Sequence, residues 1–153
     1  MNPPTIAREP ERAPGAQPTA LARTFAMQFT SSRRGARLAR LLAVQRLETW
    51  GFPRNGEVSL RLETVVAELC ANAVLHGRVP GRDFHVAMRL RVDGVIRIEV
   101  ADARRERVPV RERQYGVEDE RGRGLLLVES MADRWGVAER KAVGKIVWCE
   151  LDT

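Results

Sequence analysis

Cysteine, lysine and aromatic side chains are the scarce types in this 153-residue sequence. Its two cysteines, Cys70 and Cys149, are too few for a disulfide framework and cannot make a zinc site by themselves. Apolar runs such as Leu125-Leu126-Leu127-Val128 fall far short of the roughly 20 residues that span a bilayer. At the start, Met1-Asn2-Pro3-Pro4 lacks the charged region and apolar stretch of a secretory signal. These absences predict a soluble protein of the reducing cytoplasm with no membrane contact. Aromatic residues make up only 5%, so little is available to stack on nucleic-acid bases.

What is abundant is arginine. The sequence has 26 basic and 20 acidic residues, a net charge of +6, and only Lys141 and Lys145 are lysines. Acids are interspersed with the arginines almost everywhere, so the balance reads as composition rather than as a nucleic-acid footprint. The exception is the stretch from Ser31 to Trp50. It holds Arg33, Arg34, Arg37, Arg40 and Arg46 against Glu48 alone. No recognised nucleic-acid motif accompanies that charge, and an acidic protein surface or a second copy of the chain would suit it equally.

Residues 1–21 hold five of the eight prolines and little apolar content, which predicts a disordered tail. One globular domain is expected from 22 to 153, with 44% hydrophobic residues to build its core. Alternation from Leu21 to Phe29 predicts a strand. Ser31 or Ser32 caps a helix to about Trp50, with Leu38, Leu41 and Leu42 as its buried stripe. A second helix runs from near Asn55 or Glu57 to Gly77. Strands on either side of Asp93-Gly94 form a hairpin. The polar stretch 103–121 carries no pattern and reads as a functional loop or lid. A third helix spans 122–132, and two strands near 134–139 and 145–151 close the domain. Helices grouped apart from antiparallel pairs predict a two-layer α/β sandwich.

The second helix carries the first chemical signal. With about 100° per residue, Val58, Leu62, Val65, Leu69 and Ala73 share one apolar face. Glu68, Asn72 and His76, spaced i, i+4 and i+8, fall on the edge and middle of that face. Burying such groups costs on the order of a few kcal/mol unless polar partners meet them. Either an internal hydrogen-bond network or a bound ligand must stand opposite.

The segment Glu68-Leu-Cys-Ala-Asn72-Ala-Val-Leu-His76-Gly77 resembles the first conserved box of the GHKL (histidine kinase/gyrase-like) ATPase superfamily. Val100-Ala101-Asp102 stands where that family has the aspartate of its first glycine box. Gly122-Arg123-Gly124-Leu125 and the following Met131-Ala132-Asp133-Arg134-Trp135-Gly136 resemble the second glycine box and what succeeds it. The segment 144–151 resembles the closing strand. Four blocks in order, over about residues 25–151, make the resemblance specific. Within the superfamily the chain looks most like the bacterial anti-sigma-factor serine/threonine kinases.

The resemblance implies a Bergerat-type ATP-binding fold: a mixed, mostly antiparallel sheet with helices on one face. It also implies ATP and Mg²⁺ as cofactors. Asn72 would be the magnesium ligand and Glu68 the catalytic base. Asp102 would accept a hydrogen bond from adenine, and His76 would contact phosphate or brace the neighbouring loop. Gly122, Gly124 and Leu125 would bring backbone to the phosphates, with Arg121 and Arg123 adding charge. The implied partners are a sigma factor and an anti-anti-sigma protein, with a homodimer left open and no direct nucleic-acid contact.

The sequence departs from the family in two places. Asp102 is followed by Ala103-Arg104-Arg105-Glu106, a stretch in which the family has two glycines, and Ile146 stands where a threonine is common. These changes leave a second expectation: a partner-binding module whose nucleotide site is degenerate.

Overall fold

The computed structural model describes residues 20–77, 79–102, 120–140 and 144–153. Most of the expected tail, and the polar stretch up to residue 119, therefore lie outside the described residues.

Strand β1 (Leu21–Phe29) opens the fold and buries Phe25 and Phe29. Helix α1 (Arg33–Thr49) starts where the Ser32 side chain accepts the Gly35 N–H at 3.0 Å, a conventional N-cap. It stops in a Schellman turn. Gly51 N–H bonds the Glu48 carbonyl, Phe52 N–H bonds the Leu47 carbonyl, and Gly51 adopts φ 98°.

The buried stripe of α1 differs from the one expected. Leu38 is 49% exposed and Leu41 41% exposed, and only Leu42 of the three packs against the core. The buried face is instead Gly35, Ala39, Ala43, Val44 and Leu47. Small residues at i, i+4 and i+8 let a helix lie close to its neighbour, and a size-weighted search for leucine overlooks them. Gly35 has no room for more, because a Cβ there would overlap the Thr30 carbonyl.

Helix α2 (Glu57–His76) is the central helix. Leu62, Val65, Val66, Leu69, Cys70 and Ala73 are all buried along it. Strands β2 (Phe84–Arg91) and β3 (Val95–Ala101) follow. Their turn is the expected one at Asp93-Gly94, with Gly94 at φ 86°. Helix α3 (Glu120–Met131), strand β4 (Arg134–Arg140) and strand β5 (Gly144–Asp152) complete the described elements.

The sheet order is β1-β2-β3-β5-β4, and all four pairings are antiparallel. Alternation in the central strands puts Phe84, Val86, Met88, Ile96, Ile98, Val100, Val147, Cys149 and Leu151 into the same core cluster as the apolar faces of the helices. This is the two-layer α/β sandwich the sequence predicts.

Residues of opposite parity carry a charged ladder. Glu99 accepts from Arg89 and Arg97, each at 2.8 Å; Glu150 accepts from Arg97 at 3.2 Å and from Arg134 at 2.7 Å. The Arg97 guanidinium also lies 4.3 Å from the ring centroid of Trp148. Gly136, across the β4–β5 pair, leaves the space Trp148 occupies, since a Cβ there would lie 2.9 Å from Cζ2 of the ring. Among the described residues, no helix is long and apolar enough to cross a membrane.

Candidate functional site

Three elements supply the expected site residues. Helix α2 carries Glu68, Asn72 and His76 on successive turns, all partly buried. The end of β3 delivers Asp102, which is 8% exposed. The start of α3 carries the backbone of Arg121, Gly122, Arg123 and Gly124, followed by half-buried Leu125. The side chains of Arg121 and Arg123 lie outside what the structure describes.

Two close approaches tie these elements together. A Cβ at Gly124 would lie 2.8 Å from Glu68 Oε2 and 3.7 Å from Asn72 Oδ1. The α3 backbone therefore runs directly past the carboxylate and amide of α2. At the far end of α2, a Cβ at Gly77 would overlap the Asp102 carboxylate. Gly77 has φ −104°, so it is needed for space rather than for unusual backbone geometry. The Asp102 N–H is fastened to the Lys145 carbonyl at 3.1 Å, which links the end of β3 to the start of β5.

The two glycines of the α3 box differ in position. The described part of α3 starts at Glu120, and Gly122 lies near that end, on the side of the second glycine box. Gly124 is farther in, where its missing side chain gives clearance to Glu68.

The described residues include no cluster of three His, Cys, Asp or Glu fit to hold a metal. Glu68 and Asn72 instead offer a pair of oxygen donors beside the α3 backbone at Gly124. That set fits magnesium, a hard cation that takes one or two protein oxygens and completes its shell with phosphate and water. Cys70 lies between Glu68 and Asn72 in sequence but faces the core. Burial pushes its thiol up to about 12, so it stays protonated.

Arg61, two turns before Glu68 on α2, was not singled out by the sequence. Its Nε donates to the Met131 carbonyl at 2.8 Å and its Nη2 donates to Asp133 Oδ2 at 2.7 Å. Asp133 Oδ2 also accepts the Asp152 N–H at 2.7 Å. That backbone bond and the Arg61 contact hold the Asp133 carboxyl below its ordinary value. Arg61 is one of many arginines in the sequence, and no local pattern marks it.

The sequence model of the family described as "Histidine kinase-like ATPase domain" matches residues 29–150. No curated protein sequence matches the chain. Among solved structures, the chain is similar to the RsbU and RsbW domains of Rv1364c from Mycobacterium tuberculosis, with a TM-score of 0.64 and 18% identity. The superposition covers 85% of this chain and 32% of that one, and at this identity the likeness concerns the fold.

Proposed function

This chain belongs to the histidine kinase-like ATPase domain family, and from that premise we propose an ATP-binding regulator: a serine/threonine protein kinase that acts as an anti-sigma factor. Its substrate is a small anti-anti-sigma protein, and unopposed it holds a sigma factor. The observation that carries this reading is the meeting of Glu68, Asn72 and the Gly124 backbone at one place.

Bound Mg²⁺-ATP supplies the transferable γ-phosphoryl group. Asn72 holds the metal through its amide oxygen. Glu68 would take the proton from the serine hydroxyl as its oxygen bonds the γ-phosphorus and the bond to the departing ADP breaks, a role that requires a carboxylate within reach of the reacting phosphate. Asp102, buried at the end of β3, accepts a hydrogen bond from the adenine amino group. The backbone at Gly122, Gly124 and Leu125 would approach phosphate, with Arg121 and Arg123 adding charge, and His76 would contact phosphate or brace the neighbouring loop. In this reading residues 22–153 form the nucleotide-binding domain and residues 1–21 a tail. The protein works in the cytoplasm, through protein partners and without direct contact to nucleic acid.

The glycine-free run Ala103-Arg104-Arg105 after Asp102 favours one alternative, a non-catalytic module that binds its partner around a degenerate nucleotide site. Calorimetric titration with ATP, with and without Mg²⁺, separates the two. Micromolar binding that requires Mg²⁺ and is abolished by Asn72→Ala is the expected result. Glu68→Ala should then keep binding and lose phosphorylation of the partner. No binding at millimolar nucleotide would leave the partner-binding module as the function.

A further inference from the structure

Helix α3 has a slender hold on the core. Among its described side chains Val128 is fully buried and Met131 packs partly against the core, while Leu126 and Leu127 are 40% and 41% exposed. Its last turn, Val128 to Met131, contains no basic residue; the Ala132 N–H bonds the Val128 carbonyl at 2.8 Å. The cation comes from another helix. Arg61 of α2 donates to the carbonyl of Met131, the last residue of α3, and to Asp133 just beyond it. Through the Asp152 N–H on the same Asp133 oxygen, the fastening extends to β5.

The spacing on the two helices matches. Arg61 precedes Glu68 by seven residues on α2, and Gly124 precedes Met131 by seven on α3. Arg61 meets Met131, and Glu68 meets Gly124. The helices therefore run antiparallel with two contact points that are two turns, about 10 Å, apart along each helix. A slip of one residue at the Arg61 end would carry a side chain from position 123 or 125 towards Glu68.

We propose that Arg61 is a positioning residue for the nucleotide site: by fastening the C-terminal end of α3, it sets the register at which Gly124 passes Glu68 and Asn72. This rests on the nucleotide reading above for what the register serves, but the fastening itself can be measured without nucleotide. Arg61 touches neither ATP nor magnesium in this scheme. Its effect is to hold α3 in place before ligand arrives, so that binding does not have to supply the ordering.

The test uses the full chain with Arg61→Met, which keeps an unbranched apolar stem as far as the Nε position and removes the donors. Arg61→Lys, which retains the charge but only a compact donor group, is the conservative variant. Hydrogen exchange of the ligand-free proteins should show faster exchange in residues 120–131 for Arg61→Met, with α1 and β2 unchanged, and a smaller effect for Arg61→Lys. Unchanged α1 and β2 would also establish that the variant is folded. Calorimetry should show Mg²⁺-ATP affinity weakened roughly tenfold in Arg61→Met, the scale of one lost charge-assisted hydrogen bond. Unaltered α3 exchange would overturn the fastening. Faster α3 exchange with wild-type affinity would overturn the positioning role while the nucleotide reading stood. Absence of ATP binding by the unmutated chain would defeat the nucleotide reading and this role with it, and the exchange comparison would still decide whether Arg61 holds α3.

Discussion

A methyl group at Gly124 would approach Glu68 Oε2 to 2.8 Å, so alanine there brings two opposed effects. Within a helix, alanine is favoured over glycine by about 1 kcal/mol. The group it meets is the mobile end of a carboxylate, which can swing aside. Gly124→Ala should therefore melt at or above the wild-type temperature while Glu68 is displaced, with nucleotide binding or phosphoryl transfer reduced. A thermal melt beside a nucleotide titration checks both halves; full activity at unchanged stability would show that Glu68 tolerates the shift. At this scale the residues of the candidate site on α2 were legible. Glu68, Asn72 and His76 announce themselves because polar residues recur at helical spacing on an apolar face. Gly77 and Arg61 do not, since their roles depend on what another element brings opposite: Asp102 in one case, Met131 and Asp133 in the other.

At the scale of elements, α1 shows where reading by residue size goes astray. Its caps were legible, because Ser32 and Gly51 act through local backbone chemistry. Its buried face was not, because alanine and glycine carry little hydrophobic signal and owe their burial to what other segments bring against them, as Thr30 does at Gly35. Leu38→Ser should accordingly change stability by no more than about 0.5 kcal/mol, as for an exposed position. Ala43→Leu, which forces a large side chain into the contact layer, should cost about 1–3 kcal/mol. Urea unfolding midpoints at constant slope measure both. A large loss from the Leu38 change, with none from Ala43, would mean that the helix presents the opposite face to the core.

For the whole molecule, the charged ladder across the sheet makes stability depend on pH. Burial by itself would raise the Glu99 carboxyl, but hydrogen bonds from Arg89 and Arg97, with their charges, outweigh it and hold the group below its ordinary 4.5. Asp133 lies below its ordinary 3.8, chiefly through the Asp152 N–H and Arg61. A carboxyl that is more acidic in the folded state stabilises the fold above its unfolded value. That contribution disappears as pH falls through the folded value. Thermal stability should be flat near neutrality and fall below about pH 4.5, the ordinary value for Glu99. Glu99→Gln should lower the neutral plateau and make the acid decline shallower. An acid limb of unchanged steepness would remove Glu99 from the linkage.

The strand order has a consequence for how the protein is made. The pairs β2–β3 and β4–β5 join strands adjacent in sequence, and periodicity with turn chemistry exposed these hairpins, whereas β1–β2 closes across α1 and α2. The insertion of β5 between β3 and β4 was not legible, because nothing local in residues 144–152 says which strand will accept its second edge. During synthesis, β1 to β3 emerge with one edge of β3 unpaired and the inner face of the sheet short of Val147, Cys149 and Leu151. Strand β4 cannot join them directly, since its place is beside β5. The ribosome must therefore deliver residues up to 152 before the sheet can close, so a nascent chain arrested after β4 should remain sensitive to protease at sites that the finished domain protects.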